Sequence, residues 1–293
     1  MMKSRNTLFQ RLVDMESKNN DKRTMFGLFP KKKLRVSLAK GERVIAIGDI
    51  HGQKRRFKEL MSLVDKYRAE NPIEKESLLF LGDYVDRGPH SPFVIDALIK
   101  RKKEAKKTNQ DVFFLQGNHE TLTLEALEQT GKREEVWWRN GGKETVESYL
   151  NYAGVEIPDD ASLNTQLNLF RKSFPEKHLK FLKKLDQLER IGPFVFVHAG
   201  INFERKLKDQ RSEDIHWIRG PFLNWQGPEK KYLVVHGHSI TPRMRPEIKP
   251  HRVGIDTGSY KQKGRITAAI FEGNKVRFLS SGTLKEYKKN MFS

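Results

Sequence analysis

Three short apolar runs, each followed directly by polar side chains able to bind metal or phosphate, recur at nearly equal intervals in the first half of the chain. Asp83 lies 34 positions after Asp49 (83 − 49), and Asn118 lies 35 positions after Asp83 (118 − 83). A βαβ crossover needs roughly 30 residues or more, so each interval fits one strand, one helix and the next strand. The spacing predicts three strands of one α/β sheet whose polar side chains gather at one edge, where such sheets place their ligand sites.

The first two strand ends offer carboxylates together with other polar groups. Asp49 and His51 are two residues apart, so their side chains leave the backbone on the same side. A carboxylate and an imidazole form half a shell for a borderline divalent ion. We interpret Asp83 as the ligand shared by two ions, because cations about 3.5–4 Å apart need a carboxylate between them. Arg87 follows with a planar fork that matches two phosphate oxygens.

The third strand end suggests a proton donor as well as a ligand. Asn118 offers a neutral oxygen to a metal, and His119 beside it can reach a substrate without joining the metal shell. That placement suits a general acid that protonates the leaving oxygen. A neighbouring carboxylate would favour the charged imidazole, and Asp86 is the candidate.

Two apolar runs in the second half end in histidine and repeat this pattern. One run ends at His198, and the other ends at His236, which has His238 two positions later. A single buried histidine is more often a core residue than a ligand, but several at strand ends favour a metal site. The period of two puts His236 and His238 on one face, so spacing does not choose between them. Arg219, after a short apolar stretch, is a candidate second phosphate clamp.

The motifs at 48–52 (GDIHG), 82–88 (GDYVDRG) and 117–120 (GNHE) together resemble those of the metallophosphoesterases, most closely the bacterial and phage serine/threonine phosphatases of the phosphoprotein phosphatase branch. The resemblance spans about residues 43–281. It implies an α/β fold with a β-sandwich flanked by helices and a metal site at the carboxyl ends of its strands.

The resemblance also implies roles for individual residues, with His119 as the acid and Asp86 behind it. Arg87 and Arg219, with Asn118, would bind the substrate phosphate. The implied metal ligands are Asp49, His51 and Asp83 for one ion and Asp83, Asn118, His198 and His238 for the other, with His236 as the alternative to His238.

We expect a catalytic domain at 43–285 that follows a basic, flexible segment at 1–42, within which Met25 is a possible start site. A helical insertion at about 121–190 is expected to cover the site and to set substrate selectivity. Within it we predict an aromatic turn at 137–142 and helix from 163 to 188, broken at 174–175. No catalytic candidate stands out in this insertion.

Composition limits the remaining possibilities. The chain has 293 residues and no cysteine, which excludes disulfides and thiolate metal sites and suggests a reducing, cytoplasmic location. No apolar run approaches the roughly 20 residues of a membrane span, and we recognise no signal peptide. The formal charge of +19 makes anionic partners possible, although we find no specific nucleic-acid motif.

The leading hypothesis is a phosphomonoesterase that acts as a protein phosphatase on serine or threonine, with tyrosine as a further residue to test. Its nucleophile would be a hydroxide bridging two divalent ions, preferably Mn²⁺. Fe or Zn would suit the oxygen and nitrogen ligands too.

One alternative is symmetrical hydrolysis of dinucleoside polyphosphates. Those hydrolases resemble this chain but usually depart from it at Asp86 and Glu120. A polyanion-binding protein with a vestigial site is the other alternative. The chain lacks the cysteine-containing loop of eukaryotic protein phosphatases and has Asp256-Thr257-Gly258 there instead.

Overall fold

The computed structural model describes residues 32–108, 110–130, 133–228 and 230–282. Two mixed sheets pack face to face and helices flank them, so the predicted sandwich is confirmed. The strands are β1 Lys32–Lys33, β2 Glu42–Ile47, β3 Lys75–Phe80, β4 Asp111–Phe114, β5 Leu188–Ile191, β6 Phe194–Val197, β7 Leu233–His236, β8 Glu247–Ile248, β9 Arg252–Gly254, β10 Thr267–Glu272 and β11 Lys275–Ser280.

The first sheet contains the three strands that the spacing predicts. Its order is β1-β11-β10-β2-β3-β4, with β2, β3 and β4 parallel. Ile45 pairs with Leu78, and Leu79 pairs with Phe113, so the three carboxyl ends lie level. The second sheet has the order β5-β6-β7-β9-β8, and its β6, β7 and β9 are parallel.

Helices connect the parallel strands and form the insertion. They are α1 Lys54–Glu70, α2 Ser91–Thr108, α3 Asn118–Glu128, α4 Glu134–Trp137, α5 Lys143–Ala153, α6 Leu163–Ser173, α7 Glu176–Leu182, α8 Ser212–Trp217 and α9 Gly220–Leu223. The prediction of helix up to residue 188 was wrong at its end, because the second part stops at Leu182 and Leu188 starts an edge strand. The predicted turn at 137–142 is instead the end of α4 and one wide helical turn, Trp138–Gly142.

Alternation along the strands divides the core into two layers. Val44 and Ala46 of β2 face Phe194 and Phe196 of the second sheet. Ile45 and Ile47 of β2 face the helices on the outer side of the first sheet. This period of two is what a sheet covered on both faces requires.

The amino-terminal boundary differs from the predicted one at residue 42. β1 pairs with β11, and Leu34 and Leu38 are buried in the layer between the sheets. Arg35 donates to the carbonyl oxygens of Lys230, Tyr232 and Pro250 at 2.5 to 2.7 Å. Residues 32–41 therefore belong to the folded domain, because apolar side chains in the basic segment find a place in its core. Residues 1–31, including Met25, lie outside the described residues.

No helix in the described part of the chain has the length and apolar character needed to cross a lipid bilayer.

Candidate active site

Polar side chains from five strand ends converge on one edge of the sandwich. They lie in the segments that follow their strands, and all but the half-buried Arg87 are almost inaccessible to solvent; Asp83, at their centre, is 2% exposed. The residues are Asp49 and His51 after β2, Asp83, Asp86 and Arg87 after β3, Asn118 and His119 at the start of α3 after β4, His198 after β6, and His238 after β7.

The loops after β2 and β3 are held in an uncommon backbone conformation. His51, Asp83, Asp86, Arg87 and His238 have φ between 49° and 69°, and they are five of the eight non-glycine residues with positive φ in the described ranges. Such conformations cost on the order of 1 kcal/mol or more each and persist only when the surroundings fix them. The carbonyl oxygen of Asp83 accepts from the backbone N–H of His51 at 2.8 Å, which ties the two loops together.

Among the described residues, Asp83 is the one member shared by two groups of possible ligands. His51, Asp83 and His119 form one group, and Asp83, His198 and His238 form the other, each with its ligand atoms within 4.8 Å of one another. His51 Nε2 lies 3.5 Å from Asp83 Oδ2, and His198 Nε2 lies 3.2 Å from Oδ1. The two carboxylate oxygens thus face different imidazoles, as a bridging ligand would.

Backbone carbonyls orient two of these imidazoles. His51 Nδ1 donates to Val85 O at 2.9 Å, and His198 Nδ1 donates to Leu81 O at 2.8 Å. With Nδ1 engaged in this way, Nε2 of each ring is the nitrogen that points at Asp83. Such contacts to the second ring nitrogen commonly fix the tautomer of a metal-binding histidine.

His236 and His238 have different surroundings. His238 Nδ1 lies 2.8 Å from Asn118 Oδ1, and its backbone N–H donates to Asp49 Oδ2 at 3.0 Å. The ring of His236 instead packs edge-on against Phe222, and its Nε2 lies 3.3 Å from an Arg252 nitrogen. The structure brings His238 to the site and leaves His236 outside it.

The donor set fits divalent cations. Nε2 of His238 is buried with no hydrogen-bond partner among the described residues. Burial, together with the charges of Asp256 and Asp83, raises the pKa of Asp49 well above its usual value. Burial lowers the pKa of His198, but Asp83 outweighs that effect and raises it to about 9, so this position favours positive charge. Buried carboxylates and imidazoles that converge in this way are the oxygen and nitrogen ligands that divalent transition metals bind.

His119 belongs geometrically to the first ligand group, but its contacts point to another role. Its Nδ1 lies 2.7 Å from Asp86 Oδ2, whereas its Nε2 is 4.0 Å from Asp83 Oδ2. Burial lowers the pKa of His119, but Asp83 and Asp86 outweigh that effect and raise it above the ordinary value. With Nδ1 engaged by Asp86 and the residue lining the cavity above the ligands, this geometry fits the predicted proton donor.

The insertion at 121–190 contributes two side chains that the sequence did not single out. Trp137 Nε1 donates to Asp86 Oδ2 at 2.8 Å, and Thr145 Oγ1 donates to Asp86 Oδ1 at 2.7 Å. All three side chains are fully buried. Trp137 belongs to the aromatic turn that the sequence predicts, and Thr145 carries no local signal; the two meet at Asp86 only in the folded chain, and neither lines the cavity above the ligands.

Glu120 is a second residue whose role appears only in the structure. Its carboxylate accepts from the backbone N–H groups of Asp83 at 2.8 Å, Tyr84 at 2.7 Å and Gly117 at 2.8 Å. Burial and the charge of Asp83 raise the pKa of Glu120 to about 7. A glutamate in the first turn of a helix is typical of an N-terminal cap. Nothing in the sequence indicates that Glu120 also binds the backbone of the loop after β3.

A cavity of about 290 Å³ opens above the ligands. Arg87 and Arg219 line it, and the Arg87 guanidinium lies 4.3 Å from the ring centre of Tyr260. Arg219 donates to Ser239 Oγ at 3.1 Å. The expected cover from 121–190 contributes no lining residue in the described part of the chain. The walls are instead formed by Arg219, Ile240 and Tyr260, because the insertion packs behind Asp86.

The model of a family described as calcineurin-like phosphoesterase matches residues 42–282. Among curated relatives, the bis(5'-nucleosyl)-tetraphosphatase PrpE of Halalkalibacterium halodurans, described as asymmetrical, is 31% identical over 251 residues, which cover 80% of this chain and 91% of that protein. Shewanella-like protein phosphatase 1 of Plasmodium berghei is 29% identical over 166 residues, which cover 55% of this chain and 39% of that protein. This chain therefore spans about two fifths of that phosphatase.

A solved structure of a cold-active protein tyrosine phosphatase shares the fold. It aligns with a TM-score of 0.52 at 15% identity and covers 83% of this chain and 79% of its own. This likeness supports the architecture alone.

Proposed function

The chain belongs to the calcineurin-like phosphoesterase family and is a hydrolase of phosphoric esters, and from this membership we propose that it is a metal-dependent phosphomonoesterase acting on phosphoserine or phosphothreonine in proteins. Mn²⁺ is the metal we propose to test first, since the ligands are oxygen and nitrogen atoms and include no thiolate. The proposed partner is a phosphorylated protein or peptide.

The observation that carries this proposal is the buried pair of His119 and Asp86. Asp86 is held on both oxygens, by Trp137 and Thr145, and holds His119 in turn at 2.7 Å. Serine and threonine leave as strongly basic alkoxides that need a proton, whereas a nucleotide phosphate leaves as a weak base. A fixed proton donor therefore helps an alkyl phosphate far more than a phosphoanhydride.

The residues divide the reaction among themselves. Asp49, His51, Asp83, Asn118, His198 and His238 would hold two divalent ions, which supply a water of lowered pKa and polarise the phosphoryl group. Arg87 and Arg219 bind the phosphoryl oxygens in the cavity. Their guanidinium groups offset the charge that develops on these oxygens. His119, with Nδ1 held by Asp86, donates a proton from Nε2 to the departing oxygen.

Hydrolysis of dinucleoside polyphosphates is the second candidate. The tetraphosphatase relative covers far more of both chains than the phosphatase relative does. The same ligands would serve, with a nucleotide rather than an alkoxide as leaving group. That relative is described as asymmetrical, so cleavage at either position belongs in the test.

The test is hydrolysis by the metal-stripped protein with and without Mn²⁺. The substrates are phosphoserine, phosphothreonine and phosphotyrosine peptides, p-nitrophenyl phosphate and diadenosine tetraphosphate. We expect Mn²⁺ to restore turnover of the phosphoserine and phosphothreonine peptides, and His119→Gln to slow them much more than p-nitrophenyl phosphate, whose leaving group hardly needs a proton. Turnover confined to the dinucleotide would overturn the proposal in favour of the second candidate.

A further inference from the structure

A second, larger cavity adjoins the catalytic one. It is an open groove of about 830 Å³, against about 290 Å³ for the catalytic cavity. Its walls come from residues 223–227, 239–242 and 247–252. None of these segments contributes to the chemistry described above, apart from the contact of Ser239 with Arg219.

The groove is continuous with the catalytic cavity through Ile240, which lines both and is 36% exposed. Ser239, next to it, lines the groove and accepts a hydrogen bond from Arg219, which lines the catalytic cavity. A substrate whose phosphate lies between Arg87 and Arg219 therefore extends past Ile240 into the groove, if it is long enough to do so.

The groove combines an apolar wall with a basic rim. Leu223, Trp225 and Pro250 supply apolar surface. Glu247, the one acid among the described lining residues, lies 2.6 Å from an Arg252 nitrogen and 3.5 Å from Lys249 Nζ. The charge of Glu247 is thus already neutralised by neighbouring cations.

Two further cations lie on the turn that begins at Pro242, which itself lines the groove. Arg243 and Arg245 are exposed, and neither forms an ion pair with another described residue. Together with Lys249 they leave this rim with an excess of positive charge. Exposed, unpaired cations of this kind attract an acidic partner and steer its approach.

We infer that this groove binds the polypeptide that flanks the phosphorylated residue of a substrate, and that it prefers acidic side chains there. The inference rests on the proposed protein phosphatase function. An extended chain fits an open groove with an apolar wall, and acidic side chains complement its rim. The groove would thus select among phosphoproteins after the catalytic cavity has selected the phosphate.

The experiment compares two phosphoserine peptides, one with acidic and one with basic residues around the phosphoserine. Two further substrates are p-nitrophenyl phosphate, which is too small to enter the groove, and diadenosine tetraphosphate. The full chain is assayed with Mn²⁺ as wild type and as Arg243→Glu/Lys249→Glu. The matched control is Lys172→Glu/Lys180→Glu, which makes the same charge change on α6 and α7, where no residue lines either cavity.

We expect the wild type to prefer the acidic peptide. The groove variant should lose about fivefold to tenfold in kcat/KM on it, as removal and reversal of solvent-exposed charge pairs predict. Its activity on the basic peptide should rise, and p-nitrophenyl phosphate should be unaffected. Added salt should weaken the wild-type preference, because it screens exposed charges.

Equal losses in the groove variant and its control, or an unchanged ratio between the two peptides, would overturn the inference while leaving the proposed function in place. No turnover of either peptide by the wild type, with turnover of diadenosine tetraphosphate, would overturn both. A change confined to the dinucleotide would assign the groove to its second nucleotide instead.

Discussion

The first half of the chain brings ligands to the site on three parallel strands at a regular interval, whereas the second half brings histidines whose use is decided by contacts with the first. Asp49 and Asp83 sit on loops that hydrogen bond to each other. His198 is oriented by Leu81 O and lies 3.0 Å from Asn118 Oδ1, and His238 is held by Asp49 and Asn118. The histidines of the second half are therefore oriented by contacts with the first half. We call the strand ends of the first half, which carry Asp49, Asp83 and Asn118, the frame.

This contrast has an energetic basis. The frame holds its loops with backbone hydrogen bonds and the buried Glu120 carboxylate, which compensate for the positive φ of Asp83. A Cβ at Gly117 would clash with Asp83 Oδ1, and one at Gly237 would clash with Asp49 Oδ1. Both halves thus approach the ligands so closely that only glycine fits at these two positions.

The largest effect should come from the centre of the frame. Asp83→Asn removes the one charged group shared by both ligand groups, so we expect metal binding to fall and activity to drop by about a thousandfold or more, the scale of lost electrostatic stabilisation. Metal content by elemental analysis and turnover of a phosphoserine peptide check this. Near-normal turnover would exclude Asp83 as the bridging ligand.

A pair of variants tests the second half. His238→Gln should reduce metal affinity and activity by about a hundredfold, the scale for losing a group that orients or holds a metal. His236→Gln, a matched change two residues away, should retain its metal, because that ring faces Phe222 and Arg252. Metal affinity, measured by titration calorimetry, distinguishes the two variants. A reversed result would place His236 at the metal instead.

The pH dependence of activity tests His119 as the general acid. Burial lowers the pKa of His119, but Asp83 and Asp86 raise it overall, so the protonated imidazole persists to higher pH than usual and activity should decline above that raised pKa. Asp86→Asn should slow phosphoserine hydrolysis by about a hundredfold and move this alkaline limb to lower pH. Thr145→Val, which removes one contact to Asp86, should cause a smaller loss. An alkaline limb that stays in place in Asp86→Asn would exclude this pairing as its cause.

The smallest effect is expected at Tyr260, which lies between β9 and β10 and contacts residues of the first half of the chain. Tyr260 stacks on Arg87 at 4.3 Å and meets His51 edge-on. Tyr260→Leu should raise KM by about threefold to fivefold with little change in kcat, because a cation–π contact contributes about 0.5–1 kcal/mol at an exposed site. Tyr260→Phe keeps the ring and should raise KM less. Equal KM values in both variants would show that the hydroxyl, rather than the ring face, positions Arg87.

Much of the frame was predictable from local pattern. The interval of about 34 residues and the polar residues directly after each apolar run predict three strands of one sheet and their ends, because parallel strands require crossovers of this length. Gly273 and Asn274, between two strand-like runs, predict a hairpin turn, and in the structure they join the antiparallel strands β10 and β11. These features depend only on neighbours in sequence or on one repeated unit.

The sequence by itself determined the strand ends, the shared sheet edge and the residue types able to bind metal and phosphate, because hydrophobic period and motif spacing are properties of the chain; the sandwich followed from the resemblance of its motifs to a family. Only the tertiary structure decided that His238 rather than His236 faces Asn118, that Trp137 and Thr145 hold Asp86, and that Tyr260 and Ile240 form the cavity walls. Such contacts join residues 51 to 120 positions apart. No local pattern encodes them, since they depend on how separate helices and loops pack against one edge of the sheets.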